Sequence, residues 1–134
     1  MINWAKVWTE QYEAGSRIKQ VGDCASIWDS KERALEFLNM SRENSERIEQ
    51  VLSRLPLTNA SRVLDIGAGP GTLAIPFAQR ALAVTAVEPS PGMVAVMEEQ
   101  ARDAHVSNLS IVQKRWEDVN PLSDLAGPFD IIIA

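Results

Sequence analysis

Two residue types that build metal centres and disulfides are nearly missing from this chain, which has one cysteine, Cys24, and one histidine, His105. A lone cysteine forbids an intrachain disulfide and makes a reducing compartment the default. One cysteine and one histidine also fall short of the donor sets that hold structural zinc, so no metal site is expected. Positive charge is scarce as well. The net charge is −5, with eight basic and nine acidic side chains over 1–60 and five basic and nine acidic over 61–134. Neither portion offers the basic patch of a nucleic-acid surface. Long apolar runs are lacking: Gln79 and Arg80 interrupt the longest, well short of the ~20 residues of a membrane span. The opening Met1-Ile2-Asn3-Trp4-Ala5-Lys6 has neither the charged start nor the apolar stretch of a secretory signal. The expectation is a soluble, cytoplasmic protein. At 134 residues it is large enough for one domain that buries roughly two-thirds of its unfolded surface.

The first 60 residues read as helical. Trp4, Trp8 and Tyr12 recur at helical spacing over 3–13 and place three aromatics on one stripe, either a lid over an apolar substrate or a packing face. Residues 16–27 read as a loop or irregular helix. A second helix starts at Asp29 or Ser30, with Glu32 spaced to close a capping box from Asp29. Its apolar side is Ala34, Leu35, Phe37 and Leu38. Ser41 is placed to cap a third helix carrying Ile48, Val51, Leu52 and Leu55, which Pro56 ends. The turn residues Thr58-Asn59-Ala60-Ser61 divide a helical extension, 1–60, from an α/β core, 61–134.

From Arg62 onward strands and helices alternate. Strands are expected at Val63–Ile66, Ala83–Glu88, Leu109–Gln113 and Phe129–Ile133. Helices are expected over 72–81, with Pro76 near its first turn, and after Ser90, a cap followed by Pro91 at the first helical position. Right-handed crossovers turn such a series into a mostly parallel sheet with helices on both faces.

The chemistry concentrates in Val63-Leu64-Asp65-Ile66-Gly67-Ala68-Gly69-Pro70-Gly71-Thr72, a strand, a tight glycine loop and a helix start. Glycines there let the backbone approach a ligand, and free N–H groups suit a carboxylate. A dinucleotide fingerprint wants its third glycine where Thr72 stands, which disfavours NAD. Glu88 closes the second strand, where a carboxylate can accept hydrogen bonds from both ribose hydroxyls and would repel a 2′-phosphate. Met93 is near enough to pack on an adenine face. Trp116-Glu117-Asp118 follows the third strand, where Asp118 or Glu117 can accept from the adenine amino group. Trp28 can close over a ligand cation or simply pack in the core, and His105 reads as a surface residue. Asp65 serves either the ligand or the loop's own N–H groups.

The G-x-G-x-G spacing after Asp65 resembles the first motif of class I S-adenosylmethionine-dependent methyltransferases, and Glu88-Pro89-Ser90-Pro91-Gly92-Met93 resembles their second block. The resemblance covers 62–134 and implies a Rossmann-like fold that binds S-adenosylmethionine. By position it implies Asp65, Gly67, Ala68, Gly69 and Gly71 at the methionine moiety. Glu88, with Pro89 and Ser90 beside it, falls to the ribose, and Met93 with Trp116, Glu117 and Asp118 to the adenine. It implies methyl transfer, and the acidic surface and aromatic extension favour a small-molecule acceptor. No general base is identified. The family's sheet has three further strands, so the chain reads as truncated after the fourth, with that strand's edge free to dimerise or swap. The alternative is a cofactor-binding fragment or module without turnover of its own.

Overall fold

A computed structural model describes residues 24–42 and 45–134. The aromatic stripe of Trp4, Trp8 and Tyr12 lies outside the described residues, as does most of the loop expected over 16–27. A short 3-10 turn, Cys24–Trp28, leads into helix α1, Lys31–Arg42. Ser30 is its cap, since its Oγ accepts from the Arg33 N–H at 3.3 Å. That start leaves Glu32 one position too early for the box expected from Asp29. Ser41 does not begin the next helix. It sits inside α1 and its Oγ donates to the Phe37 carbonyl at 2.9 Å, the back-bond a helical serine makes one turn earlier. Helix α2, Ser45–Arg54, stops ahead of Pro56 because a residue preceding proline is pushed out of the α region.

Four parallel strands follow: β1 Arg62–Ile66, β2 Ala83–Val87, β3 Leu109–Val112 and β4 Ile131–Ile133. Their order is β3-β2-β1-β4, so the glycine loop leaves a central strand. Asp65 pairs in register with Ala86 on one side and Ile133 on the other. The fourth strand is shorter than expected. Asp130's carboxylate accepts from the Arg62 N–H at 2.8 Å and its own N–H donates to the Arg62 carbonyl at 2.9 Å, so a side chain replaces the first rung of the ladder.

Helix α3 is only Ala74–Ala78, not the ten residues expected from 72 to 81. Pro76 supplies no N–H to its start, and at its end the Arg80 N–H tightens onto Phe77 O at 2.9 Å, an i−3 bond. Helix α4, Pro91–Asp103, begins as expected with Ser90 capping and Pro91 first. It ends at exposed His105, whose φ of 56° lets the Val106 N–H close onto Ala101 O at 3.0 Å.

Val63, Val84, Ala86 and Ile131 on one sheet face meet Leu52 of α2, Ile75 and Phe77 of α3, and Met97 of α4. Phe77 and Met97 are fully buried, each worth about 1.5–3 kcal/mol of apolar transfer. Alternation along the strands turns Leu64 and Val87 to the other face, where both are buried too. The chain has a Rossmann-like fold: a parallel sheet covered by helices, with a helical segment ahead of it. A second cluster joins Ala34 and Leu38 of α1 to Met93 and Val96 of α4, with Trp28 and Phe37 against it. Among the described residues no helix is long and apolar enough to cross a membrane.

Candidate functional site

The glycine loop is held open by its own backbone. Gly67 and Ala68 both donate to the Val87 carbonyl, at 2.8 and 3.1 Å, which ties the loop's start to the end of β2. Gly67, Gly69 and Gly71 have φ of +75°, +57° and +87°, a region that side-chain-bearing residues avoid. Gly71 is doubly fixed, because a Cβ there would lie 2.8 Å from Met97 Cγ and 3.1 Å from Ile75 Cγ1. It is the point where loop, α3 and α4 converge.

Parallel strands present their carboxyl ends on one edge of the sheet, and there the loop borders a cavity of about 400 Å³, within the range of small-molecule sites. Its floor is Asp65, Gly67, Ala68 and Gly69, continued by Pro70, Thr72 and Leu73. Glu88 and Met93 form one wall, and Trp28, Phe37 and Ser41 close it from the N-terminal segment. Trp28 and Phe37 meet edge to face, with ring centroids 5.3 Å apart at 72°.

Two buried acids share this space and are held differently. Glu88 is 7% exposed; its Oε2 accepts from Gly69 N–H at 2.8 Å and its Oε1 from Ser90 N–H at 2.9 Å. Each oxygen keeps a further lone pair for a ligand hydroxyl. Asp65 is 5% exposed, and its Oδ2 is buried with no hydrogen-bond partner, as is Thr72 Oγ1. Burial, and secondarily the negative charge of Glu88, push the Asp65 carboxyl from 3.8 up to about 6. Near pH 7 it is therefore mostly ionised, and an incoming ammonium or hydroxyl donor would satisfy it.

Of the residues singled out in the sequence, Asp65, Gly67, Ala68, Gly69, Glu88 and Met93 line the cavity. Gly71, Pro89 and Ser90 do not border it: Gly71 sits against Met97 and Ile75, the Ser90 N–H holds Glu88, and Pro89 is half-buried between Glu88 and the α4 cap. Trp116, Glu117 and Asp118 form an exposed 3-10 turn after β3. That turn is at the same edge of the sheet but does not border the cavity. Sequence reasoning passed over Phe37, Ser41 and the Thr72 hydroxyl. The first two are four apart and so share one helix face, a pattern that core packing produces equally well. A broader hollow beside Ser45, Glu46, Glu49, Gln50 and Ser53 on α2 holds no buried unpartnered polar atom. No cluster of His, Cys, Asp and Glu suited to a metal occurs among the described residues.

The methyltransferase-domain family matches residues 63–134. The 23S rRNA (uracil(1939)-C(5))-methyltransferase RlmD of Edwardsiella ictaluri is 35% identical over 91 residues, covering 67% of this chain and 21% of that protein. The trans-aconitate 2-methyltransferase of Escherichia coli is 32% identical over 88 residues, covering 64% and 34%. Among solved structures, a candidate S-adenosyl-L-methionine-dependent methyltransferase of Methanococcus maripaludis superposes with a TM-score of 0.57 at 25% identity, covering 68% of this chain and 44% of that one. The chain thus spans about a fifth to a third of the length of the curated relatives it matches. It belongs to the class I S-adenosylmethionine-dependent methyltransferase family.

Proposed function

We propose that the protein transfers a methyl group from S-adenosylmethionine to a small-molecule acceptor, with its cofactor in the cavity at the glycine loop. The observation that carries this reading is Asp65 Oδ2, buried without a partner beside a Glu88 carboxylate already fixed by two backbone N–H groups. A buried, unsatisfied acceptor is costly to keep, and a zwitterionic ligand with an ammonium group relieves it. Thr72 Oγ1 adds a hydroxyl for the ligand's carboxylate, and the glycine loop lets the backbone come close. Glu88 is aimed to accept from ribose hydroxyls, with Pro89 and Ser90 setting its orientation. Met93 takes the adenine face, and Trp116, Glu117 and Asp118 are the next residues outward on that edge.

When bound, S-adenosylmethionine would supply a methyl group on a sulfonium, the acceptor bonding to that carbon as its bond to sulfur breaks and the neutral thioether, S-adenosylhomocysteine, leaves. The chain's task is alignment and exclusion of water, and Trp28 and Phe37 serve the second purpose. The helical segment ahead of residue 61, described from Cys24 onward, acts as an extension on the 61–134 core. The net charge of −5 supports a small acceptor over RNA, which needs a basic surface. The relatives differ on this point, one being named for an rRNA uracil and the other for trans-aconitate. A reducing, cytoplasmic setting belongs to the same reading, on the strength of the single cysteine.

Titration calorimetry with S-adenosylhomocysteine tests the cofactor assignment. Binding is expected, and Glu88→Ala should weaken it by about 1–3 kcal/mol through orphaned hydroxyl bonds. Binding of NAD with no heat from the adenosyl compound would defeat the proposal. Methyl transfer to small carboxylic acids or amines, with none to ribosomal or transfer RNA, is the result expected for the acceptor.

A further inference from the structure

We infer that Ser90 and Gly92 are positioning residues that seat the Trp28–Ser30 backbone on α4 and so hold Trp28 and Phe37 over the cofactor cavity. The inference rests on that cavity being the S-adenosylmethionine site. Two independent features of α4's first turn converge on it. The Ser90 hydroxyl donates to the Trp28 carbonyl, a partner 62 residues earlier in the chain. Gly92 is buried, and a Cβ there would lie 2.8 Å from the Asp29 carbonyl oxygen and closer still to that of Trp28. Backbone rests on backbone, which any side chain at 92 would prevent.

The same serine reaches the cofactor site by its other atoms. Its N–H donates to Glu88 Oε1 at 2.9 Å, while Glu88 Oε2 receives the Gly69 N–H at 2.8 Å. Roof, ribose-facing acid and glycine loop therefore form one hydrogen-bonded chain through a single residue. Below the seat, Ala34 and Leu38 of α1 pack on Met93 and Val96 of α4, and Lys31 pairs with Glu99 farther along. The exposed ion pair adds little. A seated roof must lift before the cofactor leaves, so the seat governs residence time more than encounter.

Gly92→Ala separates the seat from the helix, because alanine is the better helix former and only its Cβ obstructs the roof. The test measures S-adenosylhomocysteine dissociation by stopped flow from the full-length protein, with hydrogen exchange over 24–42 and 91–103. Gly92→Ala should speed dissociation about three- to tenfold with the association rate unchanged, the size of losing about one net hydrogen bond or its packing equivalent. Exchange over 24–42 should rise without ligand, while α4 keeps its protection. Ser90→Ala should behave like Gly92→Ala in the roof, and Ser90→Thr, which keeps the hydroxyl, should restore it. Wild-type dissociation and wild-type exchange in Gly92→Ala would overturn the inference alone. No binding by the wild-type protein would overturn the cofactor reading and this inference with it.

Discussion

Replacing Asp65 by asparagine should make the ligand-free protein more stable and a poorer binder. The carboxyl is 5% exposed, and burial followed by the Glu88 charge raises it from 3.8 to about 6. At about 1.36 kcal/mol per pH unit, keeping it ionised in the fold costs about 3 kcal/mol. The sign follows from proton counting. Below pH 3.8 the carboxyl is protonated in folded and unfolded chains alike, and the cost is absent. Between 3.8 and about 6 the folded state binds more protons than the unfolded, so stability falls as pH rises. Above that window the whole penalty is present.

Urea unfolding of ligand-free wild type and Asp65→Asn at intervals from pH 4 to pH 8 isolates the effect, since other titrations cancel in the difference. The amide brings its own unmet N–H groups, which add a pH-independent offset. The variant's advantage should nevertheless grow by about 2 kcal/mol from the low to the high end of that range. Over the same substitution the affinity for S-adenosylhomocysteine at pH 7.5 should fall about tenfold or more, the worth of a charge-assisted bond. A stability difference that stays level across the range would refute the reasoning.

Two further substitutions probe the scaffold. Gly71→Ala meets a φ of +87° and a Cβ 2.8 Å from Met97 Cγ, whereas Gly69→Ala meets a φ of +57° with open space around it; denaturation should show a loss of about 2–4 kcal/mol for the first and about 1–2 for the second, and equal losses would argue against the packing contribution. Asn108 Nδ2 donates to Ala78 O at 2.8 Å and Ala81 O at 3.0 Å, closing the carbonyl end of α3; Asn108→Ala should cost about 1–3 kcal/mol, Asn108→Asp no less, since a carboxylate has no donor to offer, and a neutral result by urea unfolding would show that water replaces the amide freely.

The parts of this fold that were legible in the sequence are those with local causes. Val63–Ile66 and Ala83–Val87 are apolar, β-branched runs beside turn residues, and each forms its strand within a residue or so of the expected bounds. Ser90 and Pro91 start α4 as their chemistry dictates. Asp65, Gly67, Gly69 and Glu88 meet in one cavity because parallel strands deliver their ends to a common edge. Where a distant partner decides, the pattern misleads. Ser41 has cap chemistry, yet it lies inside α1 and its hydroxyl turns back to Phe37. Nothing near Trp28 or Gly92 announces that their backbones touch. The five-residue run from Phe129, apolar but for Asp130, shrinks to a three-residue strand because Asp130 prefers the Arg62 N–H.

The two cavity acids divide the work of recognition by how each is held. Glu88 has both oxygens anchored by N–H groups from the loop and from α4, so its position is set before any ligand arrives, and little ordering entropy remains to be lost on binding. Asp65 has an oxygen with no such anchor, and its cost of about 3 kcal/mol is a large part of the 5–15 kcal/mol that holds a typical domain together. The fold can carry that strain only because the segment around it is overdetermined. Loop N–H groups grip Val87, Gly71 is wedged against Met97 and Ile75, and β1 is paired on both sides. Strain stored in so rigid a place cannot relax by local movement, and it remains available to be released by a ligand. Affinity and the pH-dependent part of the instability at Asp65 thus have one physical origin, so a substitution that removes the charge must remove both.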